Sequence, residues 1–312
     1  MEGLVAIIGP TAVGKSDLAF QIAQDFEGEI VSADSRQVYR YMNIGTAKPS
    51  LEQRDVIPHY LIDMVNPDEV FSLALYQKSA YEAIGNIQSR EKLPLLVGGS
   101  GLYVWAVIEG WKIPEVPPNH EFRCSLEDRA KKEGYYVLYE ELQKVDPVAA
   151  LKITPTNLRR VIRALEIYKV TGYPPSQIWR KEMPPFPVFI VGLTTNREDL
   201  YRRIDLRVDK MIKDGLVEET QDLLSMGYSL NLPAMSGIGY KQIGMFLQGK
   251  TDLPSAVQQI KYETHRFARH QFAWFHLQDK RICWLEISKK TKDKVRETVK
   301  HFIGNLNKEI KG

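Results

Sequence analysis

The sequence predicts an α/β protein: a parallel-sheet core carrying a phosphate-binding loop, a mostly helical insertion and a helical C-terminal part. Three observations predict it. Short apolar runs of strand length alternate with stretches of helical spacing, the pattern of strands joined by crossover helices. The first run closes on GPTAVGKS at residues 9–16. Two proline clusters, at 113–118 and 183–187, bracket a stretch whose periodicity is all helical, and proline is poorly tolerated inside helices and central strands.

The first strand is the apolar run Leu4–Ile8, closed by Gly9 and Pro10. A helix follows, with Leu18, Ala19, Ile22 and Ala23 at helical spacing. The second strand, Glu29–Ala33, ends at Asp34, and a third at 93–97 ends at Gly98 and Gly99. A fourth at 186–193 is entered through prolines. Between the proline clusters, Leu158, Val161, Ile162 and Leu165 mark a helix. The division expected is a core of residues 1–115 and 186–312 around an insertion of residues 116–185. Beyond Thr195 the pattern reads as mostly helical.

The 312 residues are 44% hydrophobic and 26% charged, ordinary for a globular protein, which excludes global disorder. Lys plus Arg minus Asp plus Glu is 42 − 39 = +3, so a polyanionic partner has to be argued from local patches. Cys124 and Cys283 lie far apart without CxxC spacing, which argues against a disulfide scaffold and a cysteine zinc site. No apolar run approaches the roughly 20 residues of a membrane span. The apolar start follows Glu2 without a basic stretch and reads as a strand, not a signal peptide. A cytoplasmic protein without a membrane partner is expected.

GPTAVGKS is G-x-x-x-x-G-K-[ST] between an apolar strand and a helix, the context this loop requires. Gly9 and Gly14 permit a tight turn. The backbone N–H groups of Thr11, Ala12, Val13, Gly14, Lys15 and Ser16 are then expected to form an anion nest at the helix N-terminus. Lys15 adds a point charge, and the Ser16 hydroxyl is a candidate ligand for Mg2+. Such a loop specifies a diphosphate or triphosphate and leaves its identity open. In ATPases of this kind a second strand ends in an acid that helps hold magnesium. Here the strand at 93–97 runs into Gly98-Gly99-Ser100-Gly101, and the acid, Asp34, ends the strand before it. That places Asp34 in the crevice that binds ligands in such sheets, where helix N-capping or a surface turn is its plainer alternative.

Further blocks accompany the loop: ADSRQVYRYMNIGTAKP (33–49), HYLID (59–63), GGSGLYV (98–104), LRRVIRALEIYKVTGYPPS (158–176), RVDKMIKDGLVEE (207–219) and GIGYKQ (237–242). In order and spacing they resemble the bacterial tRNA dimethylallyltransferases from Leu4 to about Trp274. The resemblance implies a P-loop NTPase-like core with a helical insertion. It also implies transfer of a dimethylallyl group from dimethylallyl diphosphate to the exocyclic amine of the adenosine 3′ to the anticodon. The partners implied are the tRNA anticodon stem-loop and that diphosphate, and the protein is expected to be a monomer.

By the same resemblance Asp34 is the general base, Ser100 contacts the diphosphate and the tRNA, and Arg207 contacts the diphosphate. Ser100 stands where the family usually has threonine. Arg203, Arg207 and Lys210 share one face of a helix at i, i+4 and i+7. The blocks implied for tRNA contact supply Asp34, Ser35, Arg36, Gln37, Arg123, Arg159, Arg160, Arg163, Tyr240 and Lys241, with Gln37 a candidate for a base edge. His59 reads as structural. The block THRFARHQFAW (264–274) departs from the family pattern TRxxAKRQxxW. His265 and His270 there replace basic residues and carry little charge near neutral pH.

Two other readings fit part of these observations. A small-molecule kinase using ATP shares the loop, Lys15, Ser16 and magnesium but leaves the insertion's arginines unexplained. A nucleotide-gated RNA-binding switch predicts RNA binding without covalent change.

Overall fold

The computed structural model describes residues 2–309 and divides into two compact units. One comprises the residues up to Ile108 together with those from Pro184 onward; the other is Glu109–Met183. The strands are β1 (Leu4–Ile8), β2 (Glu29–Ala33), β3 (His59–Tyr60), β4 (Pro94–Gly98), β5 (Trp111–Lys112), β6 (Arg180–Lys181), β7 (Val188–Thr194) and β8 (Ile282–Glu286). The first unit holds a six-stranded sheet in the order β3-β2-β4-β1-β7-β8. Every pairing in it is parallel. This is the α/β core the sequence predicts.

β1, β2 and β4 are buried at every residue, as befits strands covered on both faces by helices. Their apolar runs therefore do not alternate. β4 starts at Pro94, not Leu93, although the Leu93 carbonyl still accepts the Glu29 N–H at 2.9 Å. β7 starts two residues later than expected, after Pro187. β8 adds a strand to a region read as helical. It pairs Ile282 with Ile190 and Leu285 with Leu193. Its ICWLE is short and flanked by charges, so only the neighbouring strand defines it.

A buried carboxylate ties the edge of this sheet. Glu29 receives both Arg90 guanidinium nitrogens at 2.7 Å, Lys92 at 2.8 Å and the Tyr60 hydroxyl at 2.8 Å. Burial alone would raise its pKa, but the hydrogen bonds from Arg90, Lys92 and Tyr60 bring it down to about 2. Parallel pairing of β2 beside β4 and β4 beside β1 brings three strand ends into one row. They are the P-loop after β1, Asp34 after β2 and the glycine loop after β4.

The second unit is helical apart from a two-stranded antiparallel ribbon, in which Trp111 pairs with Lys181. Leu126, Leu138, Leu142, Val161, Ile162 and Leu165 form its core. Glu166 is fully buried within it. It accepts the Arg123 guanidinium at 2.9 and 2.7 Å, the Asn119 N–H at 2.7 Å and Arg163. Burial pushes the Glu166 carboxyl up, and Arg123, the Asn119 N–H and Arg163 more than offset that, holding it below the usual range. Removing one partner of a buried charge cluster leaves the others unpaired. Glu166→Ala is therefore expected to destabilise this unit by about 3–5 kcal/mol. Hydrogen exchange of the helix Leu158–Thr171 reads that loss, and unchanged protection would contradict it.

Candidate active site

The P-loop joins β1 to the helix Lys15–Asp25. Ala12 and Gly14 take positive φ, 63° and 102°, so successive N–H groups turn toward one side as an anion nest requires. One expected member is missing. The Thr11 N–H donates to Gln271 Oε1 at 2.7 Å and the Val13 N–H to the Pro10 carbonyl at 3.4 Å, which leaves the N–H groups of Ala12, Gly14, Lys15 and Ser16 for the cradle. The Thr11 hydroxyl instead accepts from Arg207 Nη1 at 3.4 Å.

Lys15 is half-buried and donates from Nζ to the Pro10 carbonyl at 2.7 Å. Burial and the nearby Arg207 charge lower its pKa to about 7, with Asp34 opposing. Burial likewise lowers the Arg207 pKa, again with Asp34 opposing; a guanidinium starts high enough to stay charged. Two cations crowded together make a site that gains from binding an anion. Their cavity has a volume of about 990 Å³, and Lys15, Ser16, Ile44, His59, Arg203 and Arg207 are among its walls.

The helix face that groups Arg203, Arg207 and Lys210 is split by its surroundings. Arg207 lies against the P-loop, Arg203 is exposed along the cavity, and Lys210 pairs with Asp214 at 2.7 Å in solvent. Ser16 is exposed at the helix start. A hydroxyl there could serve as one oxygen ligand to a magnesium ion, a hard cation that needs few protein ligands. Among the described residues no group of three or more His, Cys, Asp or Glu side chains is placed to hold a metal by itself.

Asp34 is half-buried just past β2. Its Oδ1 accepts the Arg36 N–H at 2.8 Å, which fixes the turn; Oδ2 has no hydrogen bond among the described residues. Ser100 Oγ accepts the Ser35 N–H at 3.0 Å and donates to the Ser35 hydroxyl at 3.3 Å. Ser100 therefore locks the glycine loop to the residue following Asp34. Tyr76 and Tyr103 stack with centroids 3.6 Å apart, and the Tyr76 hydroxyl donates to the Ser32 carbonyl at 3.2 Å. Burial raises the pKa of both phenols, and Asp34 contributes to each shift, so both stay protonated.

The remaining site candidates divide by burial. Arg36 reaches the Pro233 carbonyl at 2.7 Å and Ser236 Oγ at 3.4 Å. Gln37 was a candidate for a base edge, but its amide is occupied. It accepts from Ser32 Oγ at 2.9 Å and donates to the carbonyls of Thr46 and Ala47 at 3.3 and 3.2 Å. Tyr240 likewise has its side chain engaged within the fold. It is 1% exposed, and its hydroxyl donates to Glu219 at 2.6 Å. Lys241 beside it is exposed. Within the insertion unit, Arg159 and Arg160 are exposed, whereas Arg123 and Arg163 are held by Glu166. His59 is structural in its contacts, with Nδ1 2.6 Å from the Ile57 carbonyl. On the helix Leu253–Phe272, Arg266 and His270 are exposed. His265 stacks on Tyr201 at 4.0 Å and faces Asp205 at 2.8 Å.

Sequence reasoning missed Glu219, Gln271, Tyr76 and Tyr103. Glu219 accepts the backbone N–H groups of Asn43, Ile44 and Gly45 at 2.9, 2.8 and 3.1 Å, holding the later part of the Asp34 block. Its signal was its place in the block at 207–219.

The chain matches the family model described as IPP transferase over residues 37–278. The tRNA dimethylallyltransferase of Thermomicrobium roseum is 51% identical over 285 residues, which cover 91% of this chain and 86% of that protein. That of Roseiflexus castenholzii is 52% identical over 275 residues, 88% and 90% of the two chains. A full-length tRNA isopentenylpyrophosphate transferase from Bacillus halodurans superposes with a TM-score of 0.74 at 38% identity, covering all of both chains. A eukaryotic dimethylallyltransferase acting on tRNA gives 0.82 at 28% identity, covering 98% of this chain and 80% of that one.

Proposed function

The chain belongs to the IPP transferase family and is an enzyme of the tRNA dimethylallyltransferase kind, and on that premise we propose how its residues carry out the transfer. The donor is dimethylallyl diphosphate, and the acceptor is the exocyclic amine of the adenosine 3′ to the anticodon. The observation that carries this reading is the row of strand ends. A P-loop with two crowded cations lies on one side, and a carboxylate with an open oxygen on the other.

The diphosphate binds the N–H groups of Ala12, Gly14, Lys15 and Ser16, with Lys15 and Arg207 countering its charge. The Ser16 hydroxyl would hold a magnesium ion, which would supply further neutralisation of the leaving group when bound. The allylic C–O bond breaks easily because the developing cation is resonance-stabilised, and its electron pair stays on the departing diphosphate. The amine nitrogen forms the new C–N bond. Its lone pair is delocalised into the purine, so removal of its proton as the bond forms assists attack. Asp34 Oδ2 takes that proton. Ser100 keeps the segment behind Asp34 in register. The exposed Arg159, Arg160 and Lys241 supply charge for the RNA backbone. Incubating tRNA with the donor, magnesium and no ATP should release diphosphate in step with tRNA consumed. Phosphate release from ATP with no use of the donor would sink the reading.

The depressed Lys15 pKa gives a pH prediction. Without an anion Lys15 titrates at about 7; a bound diphosphate raises that value. Below pH 7 both states are protonated and affinity is flat on this account. Above pH 7 binding draws in a proton, and affinity falls as pH rises. Calorimetry at pH 8 in buffers of different ionisation enthalpy should show more proton uptake for the wild type than for Lys15→Met. Equal uptake would contradict the assignment.

A further inference from the structure

Gln271 lies near the end of the helix Leu253–Phe272 and is 4% exposed. Its Oε1 accepts the Thr11 N–H at 2.7 Å, and its Nε2 donates to the Gly99 carbonyl at 3.0 Å. The two partners belong to different loops, the P-loop after β1 and the glycine loop after β4. An amide is the side chain suited to this task, because it offers one acceptor and one donor on a single planar group. The approach at Gly99 is close enough that a Cβ there would collide with Gln271 Nε2. One turn on, the Trp274 carbonyl accepts Trp105 Nε1 at 2.8 Å, which anchors this stretch of chain to the helix that follows the glycine loop.

A chain of contacts therefore runs from the leaving-group side to the proton acceptor. Gln271 holds Thr11, whose hydroxyl accepts from Arg207, and also Gly99. Ser100 follows Gly99 and holds Ser35, and Asp34 precedes Ser35. The same bond occupies the Thr11 N–H, so the N–H groups that face the diphosphate are ones Gln271 does not touch.

We infer that Gln271 is a positioning residue that sets the offset between the diphosphate cradle and the Asp34 carboxylate. The inference rests on the transferase reading for its effect on rate. Transfer needs the allylic carbon aligned between diphosphate and amine, and a misplacement of about 1 Å costs on the order of 10²-fold in rate. Diphosphate affinity depends on N–H groups and cations that Gln271 does not touch, so it changes little.

The test compares wild type with Gln271→Met, which keeps the length and removes both polar groups, and Gln271→Glu, which at pH 8 keeps an acceptor for Thr11 and loses the donor to Gly99. Single-turnover transfer, scaled to active sites titrated with the donor, should slow by about 10²-fold in the methionine variant. The Kd for inorganic diphosphate should stay within about threefold of wild type. A merely structural role would lower the titrated fraction and leave the rate per site unchanged, and that result overturns the inference. A wild-type rate in either folded variant also overturns it. If the methionine variant does not fold, the glutamate variant carries the same comparison. Amide exchange at Thr11 separates the two claims. If the wild type transfers nothing, the transferase reading fails. A Thr11 amide that is protected in wild type and fast in Gln271→Met still supports the clasp, whereas equal exchange removes it.

Discussion

Asp34→Asn is expected to slow transfer by about 10²–10⁴-fold, the range for loss of a general base, while diphosphate binding stays within a few-fold. Asparagine keeps the Oδ1 acceptor that receives the Arg36 N–H, so the turn after β2 survives. The loss falls on Oδ2, the oxygen without a hydrogen bond among the described residues. Asp34 also raises the pKa of Lys15 and Arg207, so its neutralisation slightly favours uncharged Lys15. The same change removes an anion that repels diphosphate, and the two effects oppose each other. Rapid-quench turnover with prebound donor isolates the chemical step. An unchanged rate would remove Asp34 as the base, and a rate lost only in proportion to donor affinity would make it a binding residue.

Lys15→Met has the second large effect, on the leaving group. Loss of a charge-assisted contact of about 1.5–3 kcal/mol weakens diphosphate binding by roughly 10–150-fold. Charge on the diphosphate grows as the C–O bond breaks, so turnover should fall further, by about 10²–10³-fold. Stability should move the other way. The Lys15 pKa is lowered chiefly by burial, so the ligand-free fold is strained by this charge below pH 7. Unliganded Lys15→Met should melt at or above the wild-type temperature at pH 6.5. Equal diphosphate affinity would contradict the leaving-group role, and a large drop in Tm would show that Lys15 holds the loop together.

Strand ends were readable because local pattern decides them. β1 and β2 have sequence-predicted bounds that match residue for residue, since β1 is an uninterrupted apolar run closed by Gly9-Pro10 and β2 is a five-residue run centred on Ile30 and Val31 that ends before Asp34. The P-loop and Asp34 follow directly from those ends. β8 was not readable, because five residues among charges become a strand only beside β7. The same reason separates residues within one motif. Gln37 and Tyr240 lie in blocks shared with the family, yet their direction depends on Thr46 and Glu219, which fold against them. Arg123 and Arg159 look alike as basic residues on helices. Only the buried Glu166, 43 residues from Arg123, distinguishes a tethered guanidinium from a free one. Gln271 carries no charge and no motif glycine, and its meaning comes from Thr11, 260 residues away.

The most direct test of the central claim is mass spectrometry of an unmodified tRNA with an adenosine 3′ to its anticodon. It is incubated with the full chain, magnesium and dimethylallyl diphosphate, without ATP. One added C5H8 unit is expected on that adenosine, absent with Asp34→Asn at the same time point. An unmodified tRNA, or addition that proceeds equally well with Asp34→Asn, would contradict it.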